Sequence, residues 1–327
     1  MAERNPFEQF DIAVEAMLSG AEPNSSLDRS TRELLRIARQ IRHMPREAFR
    51  QRLMTDLKEQ TMASATITPT VNPIREGFHT LTPYVIVNGA SQFLNFMKQV
   101  FGAEERLRVP KPDGSIMHAE VSIGDSIIEM ADASEQYPPR LAAIHVYVDD
   151  VDSAYQRAMA AGAASLHPPM DQPYGDRDAS ITDPLGNQWY MGKHVTKGNV
   201  VEGMRTVTPY LHPVGADKFI DFLKQAFGAV EISVYREWPE GPVVHAKLRI
   251  GDSMIELSEP HGPYQPIVTG LHLYTENTDA LFKQAVAAGA SPIFQPRDEP
   301  YGDRCAGVTD PAGNSWFIAT HIKDVTF

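Results

Sequence analysis

Histidine and glutamate residues recur along this chain at a constant spacing, for example 272 − 145 = 127. The pairs at this step are His118 and His245, Glu129 and Glu256, and His145 and His272. Imidazole and carboxylate groups together suit Zn, Ni, Fe or Mn, and they also form the polar lining of binding cavities. Lys247 stands where the first copy has Glu120, which argues against Glu120 as a metal ligand. The spacing predicts two related sites, each either a divalent metal centre or a cavity lining.

The segments that must position these side chains are copies of one another. Ala142–Val195 and Leu271–Ile322 keep their glycine, proline and aromatic residues in register, which indicates an internal duplication. The hydrophobic periodicity and the turn residues of each copy predict two modules, each with the order strand, helix and three strands (βαβββ). Gly102 predicts the end of the first helix, and the DPLGN stretch at 183–187 predicts a tight hairpin turn.

Composition and charge divide the chain further and exclude some partners. Residues 1–60 predict a helical extension, 61–78 a linker, and 79–196 and 205–323 the two copies. The extension is neutral, and the net charge of −12 lies in the rest of the chain, so we expect no nucleic-acid partner. No apolar run reaches a membrane span, no signal peptide is evident and Cys305 is the single cysteine. We therefore expect a cytoplasmic protein with no membrane partner.

Several motifs of the duplicated part occur together in one known family. They are a helix ending in Phe-Gly, an IGDS turn, a YGDR loop, a DPxGN hairpin and the HAE run at 118–120. The chain resembles the vicinal oxygen chelate superfamily, the glyoxalase, bleomycin-resistance and extradiol-dioxygenase group, and is most similar to its PhnB-like branch. The resemblance implies an α+β fold of two tandem glyoxalase-like domains, each of two βαβββ modules forming a cupped mixed sheet. It also suggests that the tandem copies pair within one chain, as two chains do in single-domain relatives.

The resemblance implies metal ligands on the first and last strands of each module, and this chain matches that set only in part. Glu129 and Glu256 stand at the last-strand position, but Tyr190 and Phe317 replace glutamate there in the other two modules. The first-strand position falls on Thr82, Ala143, Thr208 and Thr269. His145 lies two residues after Ala143 and shares its face of the strand, and His272 stands at the equivalent position of the second copy. We expect each copy to hold its own site, pairing His145 with Glu129 and His272 with Glu256, without a tightly bound metal.

The same reasoning gives a predicted cavity lining for the two copies. For Arg177 and Arg304 two alternatives stay open: an anion anchor at the cavity mouth, or a loop tie to Asp176, Asp303 or a backbone carbonyl. The lining comprises Tyr84, His118, Glu129, His145, Arg177, Tyr190, Tyr210, His245, Lys247, Glu256, His272, Arg304 and Phe317. The metal candidates among them are His118, Glu129, His145, His245, Glu256 and His272.

Three function hypotheses follow, and none assigns a catalytic residue. The preferred one is binding of a small, partly apolar organic ligand in the sheet cavities, in resistance or sequestration. The second is a divalent-metal-dependent lyase, isomerase or dioxygenase of the same superfamily, which leaves the question of enzymatic activity open. The third is a non-catalytic adaptor that acts through the helical extension, which is also a candidate for mediating oligomerisation.

Overall fold

The computed structural model describes residues 71–173, 175–194 and 203–325. The predicted helical extension, residues 61–70 of the predicted linker and the end of the first predicted domain at 195–196 lie outside the described residues. Among the described helices, none has the length and apolar character needed to cross a membrane.

Four modules of the order βαβββ follow one another, as the sequence predicts. The first module comprises β1 (Leu81–Val87), α1 (Ala90–Phe101), β2 (Glu104–Pro110), β3 (Ile116–Ile123) and β4 (Ser126–Asp132). The second comprises β5 (Ala143–Tyr147), α2 (Val151–Ala160), β6 (Ala164–Asp171), β7 (Asp176–Thr182) and β8 (Gln188–His194). The third comprises β9 (Val207–Leu211), α3 (Ala216–Phe227), β10 (Val230–Arg236), β11 (Val243–Ile250) and β12 (Ser253–Leu257). The fourth comprises β13 (Gly270–Tyr274), α4 (Thr278–Ala287), β14 (Ser291–Asp298), β15 (Asp303–Thr309) and β16 (Ser315–His321).

The strands form two mixed sheets of eight strands each, and each sheet takes one module from each copy. Sheet 1 has the order β14-β15-β16-β13-β1-β4-β3-β2, so it joins the first and fourth modules. Sheet 2 has the order β10-β11-β12-β9-β5-β8-β7-β6 and joins the second and third. The antiparallel pairs β1–β13 and β5–β9 connect the copies. The predicted α+β fold class is confirmed, and the tandem copies pair within the chain. The expectation that the two modules of one copy form a sheet together is wrong.

The apolar cores follow the copies rather than the sheets. One buried cluster contains mainly residues of the first and second modules, and another contains mainly residues of the third and fourth. The rings of Phe101 and Trp189 lie 4.6 Å apart, and those of Phe227 and Trp316 lie 4.3 Å apart. The phenylalanine that ends the first helix of a copy therefore packs on the tryptophan of the same copy's last strand. Each copy has its own core, and strand pairing then joins the copies.

The IGDS turns hold the two sheets together. Asp252 accepts a hydrogen bond from the backbone N–H of Thr80 at 2.8 Å, and Ser253 Oγ accepts one from Leu81 at 3.0 Å. The turn of the first module makes the same contacts with Thr206 and Val207. Gly251 has φ of 57°, and a Cβ on it would overlap Thr80, so the turn requires glycine. The motif therefore caps the first strand of the opposite copy.

Candidate functional site

Strand alternation sorts each sheet into a core face and a polar face. Ile144 and Trp189 are fully buried beneath the helices. His145 and Tyr190 are their neighbours in sequence and therefore project from the opposite face. On this opposite face each sheet carries one group of ionisable residues. We call Glu129, His272, His118 and Glu120 on sheet 1 the first site, and Glu256, His145, His245 and Lys247 on sheet 2 the second site.

The first site is built around the buried carboxylate of Glu129. His272 Nδ1 lies 2.7 Å from Glu129 Oε2, and His118 Nε2 lies 3.8 Å from Glu129 Oε1. His118 Nε2 is also hydrogen-bonded to Glu120 Oε1 at 3.0 Å, and Tyr84 OH lies 3.3 Å from His118 Nδ1. Two carboxylates and two imidazoles thus share one side of sheet 1.

The second site repeats this plan with one change of charge. His145 Nδ1 lies 2.6 Å from Glu256 Oε2, and His245 Nε2 lies 3.1 Å from Glu256 Oε1. Lys247 Nζ is 3.6 Å from the same oxygen. A Cβ on Gly192 would lie 2.7 Å from His145 Nε2, so glycine there leaves room for the imidazole. The second site therefore carries its own cation where the first site carries a second carboxylate.

In both sites, burial shifts the pKa of an ionisable side chain in one direction, and its neighbours shift it in the other. Burial alone would raise the pKa of Glu256, but the charges and hydrogen bonds of His145 and His245 hold it well below its usual range. Burial would lower the pKa of His272, but Glu129 raises it. The Glu256 carboxylate is therefore ionised near neutral pH, and the pKa of His272 lies above its ordinary value.

The histidine and glutamate of each site come from different copies, which corrects the expectation of one site per copy. Glu129 belongs to the first copy and its partner His272 to the second, whereas Glu256 belongs to the second copy and His145 to the first. The register also corrects the first-strand position. Glu129 lies opposite Tyr84 and not opposite Thr82. By the same register Tyr190 lies opposite His145, Phe317 opposite His272 and Glu256 opposite Tyr210. Each site therefore offers one histidine, one glutamate and two aromatic residues at these four positions.

Two of the predicted lining residues are not in the sites. Arg177 donates two hydrogen bonds to Asp152 in the first turn of α2, at 2.6 and 2.7 Å, and one to Asp171 at 2.9 Å. Arg304 pairs in the same way with Asp279 in α4 and with Asp298. Both arginines project from the helix face of their strands because they are out of phase with Ser180 and Gly307, which pair with Tyr190 and Phe317. The structure therefore places both arginines outside the predicted lining, and each ties its strand to an acid of a helix and to an acid of the adjacent strand.

Sequence reasoning missed a cation at the first site. Residues 71–78, which we call the strap, were predicted to be part of a linker, but Phe78 is buried and packs edge-on against Tyr274 at 5.6 Å. Arg75 of the strap forms an ion pair with Glu120 and lies 4.2 Å from the centre of the Phe78 ring. The strap precedes the first strand and has no periodic pattern of its own, so the sequence did not indicate this contact.

Sequence reasoning included Tyr190 and Tyr210 in the lining but missed His212 and Tyr264, which complete an aromatic cluster beside the second site. The rings of Tyr190 and Tyr210 lie 4.8 Å apart, and Tyr264 stacks on His212 at 5.9 Å. Tyr264 comes from the segment that follows β12, and its OH lies 3.0 Å from Ser180 Oγ. Tyr190 OH donates to Gln188, so His212 Nε2, 2.7 Å away, must donate to Tyr190. The cluster forms a largely apolar wall of rings, in which Tyr190 is tilted by 57° against Tyr210 and by 61° against Tyr264.

Three donor groups of the first site lie close enough together to contact one metal ion. His118, Glu120 and Glu129 offer ligand atoms that all lie within 4.8 Å of one another, the one such group among the described residues. Glu120, rejected on the sequence, belongs to it. However, the guanidinium of Arg75 already pairs with Glu120. The three ligand atoms are therefore close enough together to bind one cation. Arg75 already balances the negative charge of Glu120, so a cation would have to displace it.

The burial of His212 gives a pH-dependent prediction for the second site. Burial lowers the pKa of His212 to about 4, against about 6.5 in an unfolded chain. Between these values the unfolded state binds a proton that the folded state excludes, so stability falls as the pH drops from about 6.5 to about 4. The loss for this residue should approach 3 kcal/mol at the lower end. Urea unfolding at pH 7 and pH 5 should show a smaller loss in His212→Gln than in the native chain. Equal losses would contradict the assignment.

Comparison with known proteins matches both copies of the repeat to one family. A family model described as "Glyoxalase/Bleomycin resistance protein/Dioxygenase superfamily" matches residues 77–191 and 215–318. An uncharacterized protein of Mycobacterium bovis is 35% identical over 133 residues, which cover 37% of this chain and 88% of the relative. A second Mycobacterium bovis protein, named "Putative glyoxylase CFP32", is 26% identical over 213 residues, which cover 62% of this chain and 80% of that protein.

Among solved structures, the crystal structure of glyoxalase I from Zea mays aligns with a TM-score of 0.57 and 14% identity. The alignment covers 73% of this chain and 92% of that one. At this level of identity the likeness shows the fold alone.

Proposed function

Because the chain belongs to the Glyoxalase/Bleomycin resistance protein/Dioxygenase superfamily, we propose that it binds small organic ligands at its first and second sites, in resistance or sequestration. The observation that carries the proposal is the pair of aromatic residues at the centre of each site. Tyr84 and Phe317 lie 5.2 Å apart in the first site, and Tyr190 and Tyr210 lie 4.8 Å apart in the second. Aromatic side chains give planar, apolar contact and supply no charge to hold a metal.

The side chains of the second site favour one class of ligand, a planar aromatic anion. Lys247 and the two imidazoles surround a single carboxylate, Glu256. A ligand carboxylate that approaches Lys247 gains an ion pair, while its ring packs against the wall of Tyr190, Tyr210 and Tyr264. At the first site Glu120 takes the place of the lysine, so the same anion should bind there more weakly.

The test is calorimetric titration with 2-naphthoate, a planar aromatic carboxylate, and with the neutral 2-naphthalenemethanol. We expect saturable binding of the acid, with an affinity at least about tenfold higher than that of the alcohol. Tyr190→Ala should weaken binding of both probes by removing an aromatic contact of about 0.5–1.5 kcal/mol. Lys247→Gln should weaken binding of the acid alone.

Phe317→Ala, at the equivalent position of the first site, is the matched control and should leave the tighter binding event unchanged. Absence of saturable binding, or insensitivity of that binding to Tyr190→Ala, would contradict the proposal for the second site.

The enzymatic alternative, a metal-dependent lyase, isomerase or dioxygenase, has support at the first site only. That support is the group of His118, Glu120 and Glu129, together with the name of the relative described as a glyoxylase. We place this alternative second because Arg75 neutralises Glu120 in the folded chain. The PhnB-like branch and the cytoplasmic location stay predictions; the single cysteine, Cys305, suits a reducing compartment.

A further inference from the structure

Two buried carboxylates face each other at the first site. Glu120 and Glu129 are 4% and 2% exposed, and they are directly opposite in the pairing of β3 with β4. Like charges this close and this buried require a cation nearby. His118 Nε2 lies 3.0 Å from Glu120 Oε1, and the guanidinium of Arg75 pairs with the same carboxylate. The two carboxyl groups therefore depend on positive charge that another part of the chain brings to them.

The two sites obtain that charge from different parts of the chain. Lys247 occupies the strand position of Glu120 and supplies a cation to Glu256 from within the sheet. At the first site the cation is Arg75, which lies outside the sheet on the strap. Lys247 is part of a strand of the sheet and cannot move away from Glu256 unless the sheet changes. Arg75 can move away from Glu120 when the conformation of the strap alone changes.

The surroundings of Arg75 leave room for this movement. A cavity of about 190 Å³ is lined by Arg75, Leu107, Tyr301, His321, Asp324 and Val325. The strap itself is held by Phe78, by the N–H of His321 that donates to the carbonyl of Pro73 at 2.9 Å, and by the Arg75–Glu120 ion pair. The guanidinium can turn into the cavity while Phe78 stays packed.

We propose that Arg75 is the resident cation of the first site and that a divalent transition-metal ion binds there only by displacing it. Once Arg75 leaves, His118, Glu120 and Glu129 present one nitrogen and two oxygens with a separation that a single ion can span. While Arg75 of the strap pairs with Glu120, the first site resembles the second site, because each has a cationic side chain beside a glutamate. When Arg75 moves away, the first site can bind a metal ion. This goes beyond the ligand binding proposed above, since that proposal holds for either state of the strap.

The test is Zn²⁺ binding to the untagged full-length chain, measured by competition with a chromophoric chelator. Arg75→Ala should bind one Zn²⁺ per chain at least tenfold more tightly than the native protein does. Arg75→Lys keeps a positive charge and should bind Zn²⁺ as weakly as the native protein. The gain should disappear in the double variant Arg75→Ala/Glu120→Gln, which removes one of the three ligands.

If Arg75→Ala does not fold, Arg75→Gln answers the same question, because it keeps most of the side-chain stem over Phe78 and removes only the charge. Equal Zn²⁺ affinity in the native and charge-free variants would overturn the proposal. A gain that survives in the double variant would also overturn it, because Zn²⁺ would then bind elsewhere. Naphthoate binding at the second site is a separate readout, so failure of either proposal can be recognised without the other.

Discussion

An isolated copy of the repeat, such as residues 71–194, is expected to form a dimer in solution. Each copy has its own apolar core, so it should fold. In the intact chain, however, β1 pairs with β13 and β5 pairs with β9. Separation of the copies leaves β1 and β5 as open edges, and such edges template pairing with another chain. Two copies can close both edges by pairing β1 of one with β5 of the other.

Light scattering coupled to size exclusion would measure this effect on both halves and on the intact chain as control. We expect residues 71–194 and 203–325 each to run at twice their mass. Mixing them after unfolding should give a heterodimer that restores the pairs His145–Glu256 and His272–Glu129. A folded monomer of either half at micromolar concentration would show that the seam between copies is not needed to cover these strands.

Loss of the turn aspartate is expected to cause the largest single-residue destabilisation. Asp310 is buried and accepts four hydrogen bonds, from the backbone of Ala312 and Asn314, the Asn314 amide and the Trp316 indole, all between 2.8 and 2.9 Å. Asp310→Ala leaves these buried donors without an acceptor. The expected loss is about 3–5 kcal/mol in the free energy of unfolding.

Denaturant unfolding of matched variants separates this role from a general cost of turn substitution. Asp310→Asn replaces one acceptor oxygen with a donor and should lose nearly as much stability as Asp310→Ala. Asp113 also caps a turn, accepting from Ser115 at 3.0 Å, but it is exposed, so Asp113→Ala should cost far less. Similar losses for Asp310→Ala and Asp113→Ala would contradict the assignment of the buried network.

Local patterns in the sequence were sufficient to predict the elements of the fold. The turn at Asp183 and the stop at Gly102 depend on residues within a few positions, and both appear as predicted: Asp183 accepts from Asn187 at 3.0 Å, and Gly102 has φ of 68°. Alternation along a strand also placed His145 and His272 on the polar face. These features follow from chemistry that acts over one or two turns of the chain.

The arrangement of the modules could not be predicted in the same way. The first strand of a module can pair with the first strand of the other module in its own copy or with one in the other copy. Both pairings give the same alternation of buried and polar side chains along the strand. The partner of His145 therefore changed from Glu129 to Glu256 although each residue lies on the expected face. Arg75 was missed for a related reason, since its contact with Glu120 depends on where the strap folds back. Arg177 is different, because its phase relative to Tyr190 across the DPLGN hairpin already favoured the helix face.

A double-mutant cycle tests the assembly of each site from both copies most directly. His145→Gln, Glu256→Gln and the double variant would be compared by urea unfolding, alongside the same cycle for His145 and Glu129. Since His145 Nδ1 and Glu256 Oε2 lie 2.6 Å apart and Glu129 lies on the other sheet, we predict a coupling energy of about 1.5 kcal/mol or more for the first pair. For the second pair we predict less than about 0.5 kcal/mol. A strong coupling between His145 and Glu129, with none between His145 and Glu256, would contradict the account.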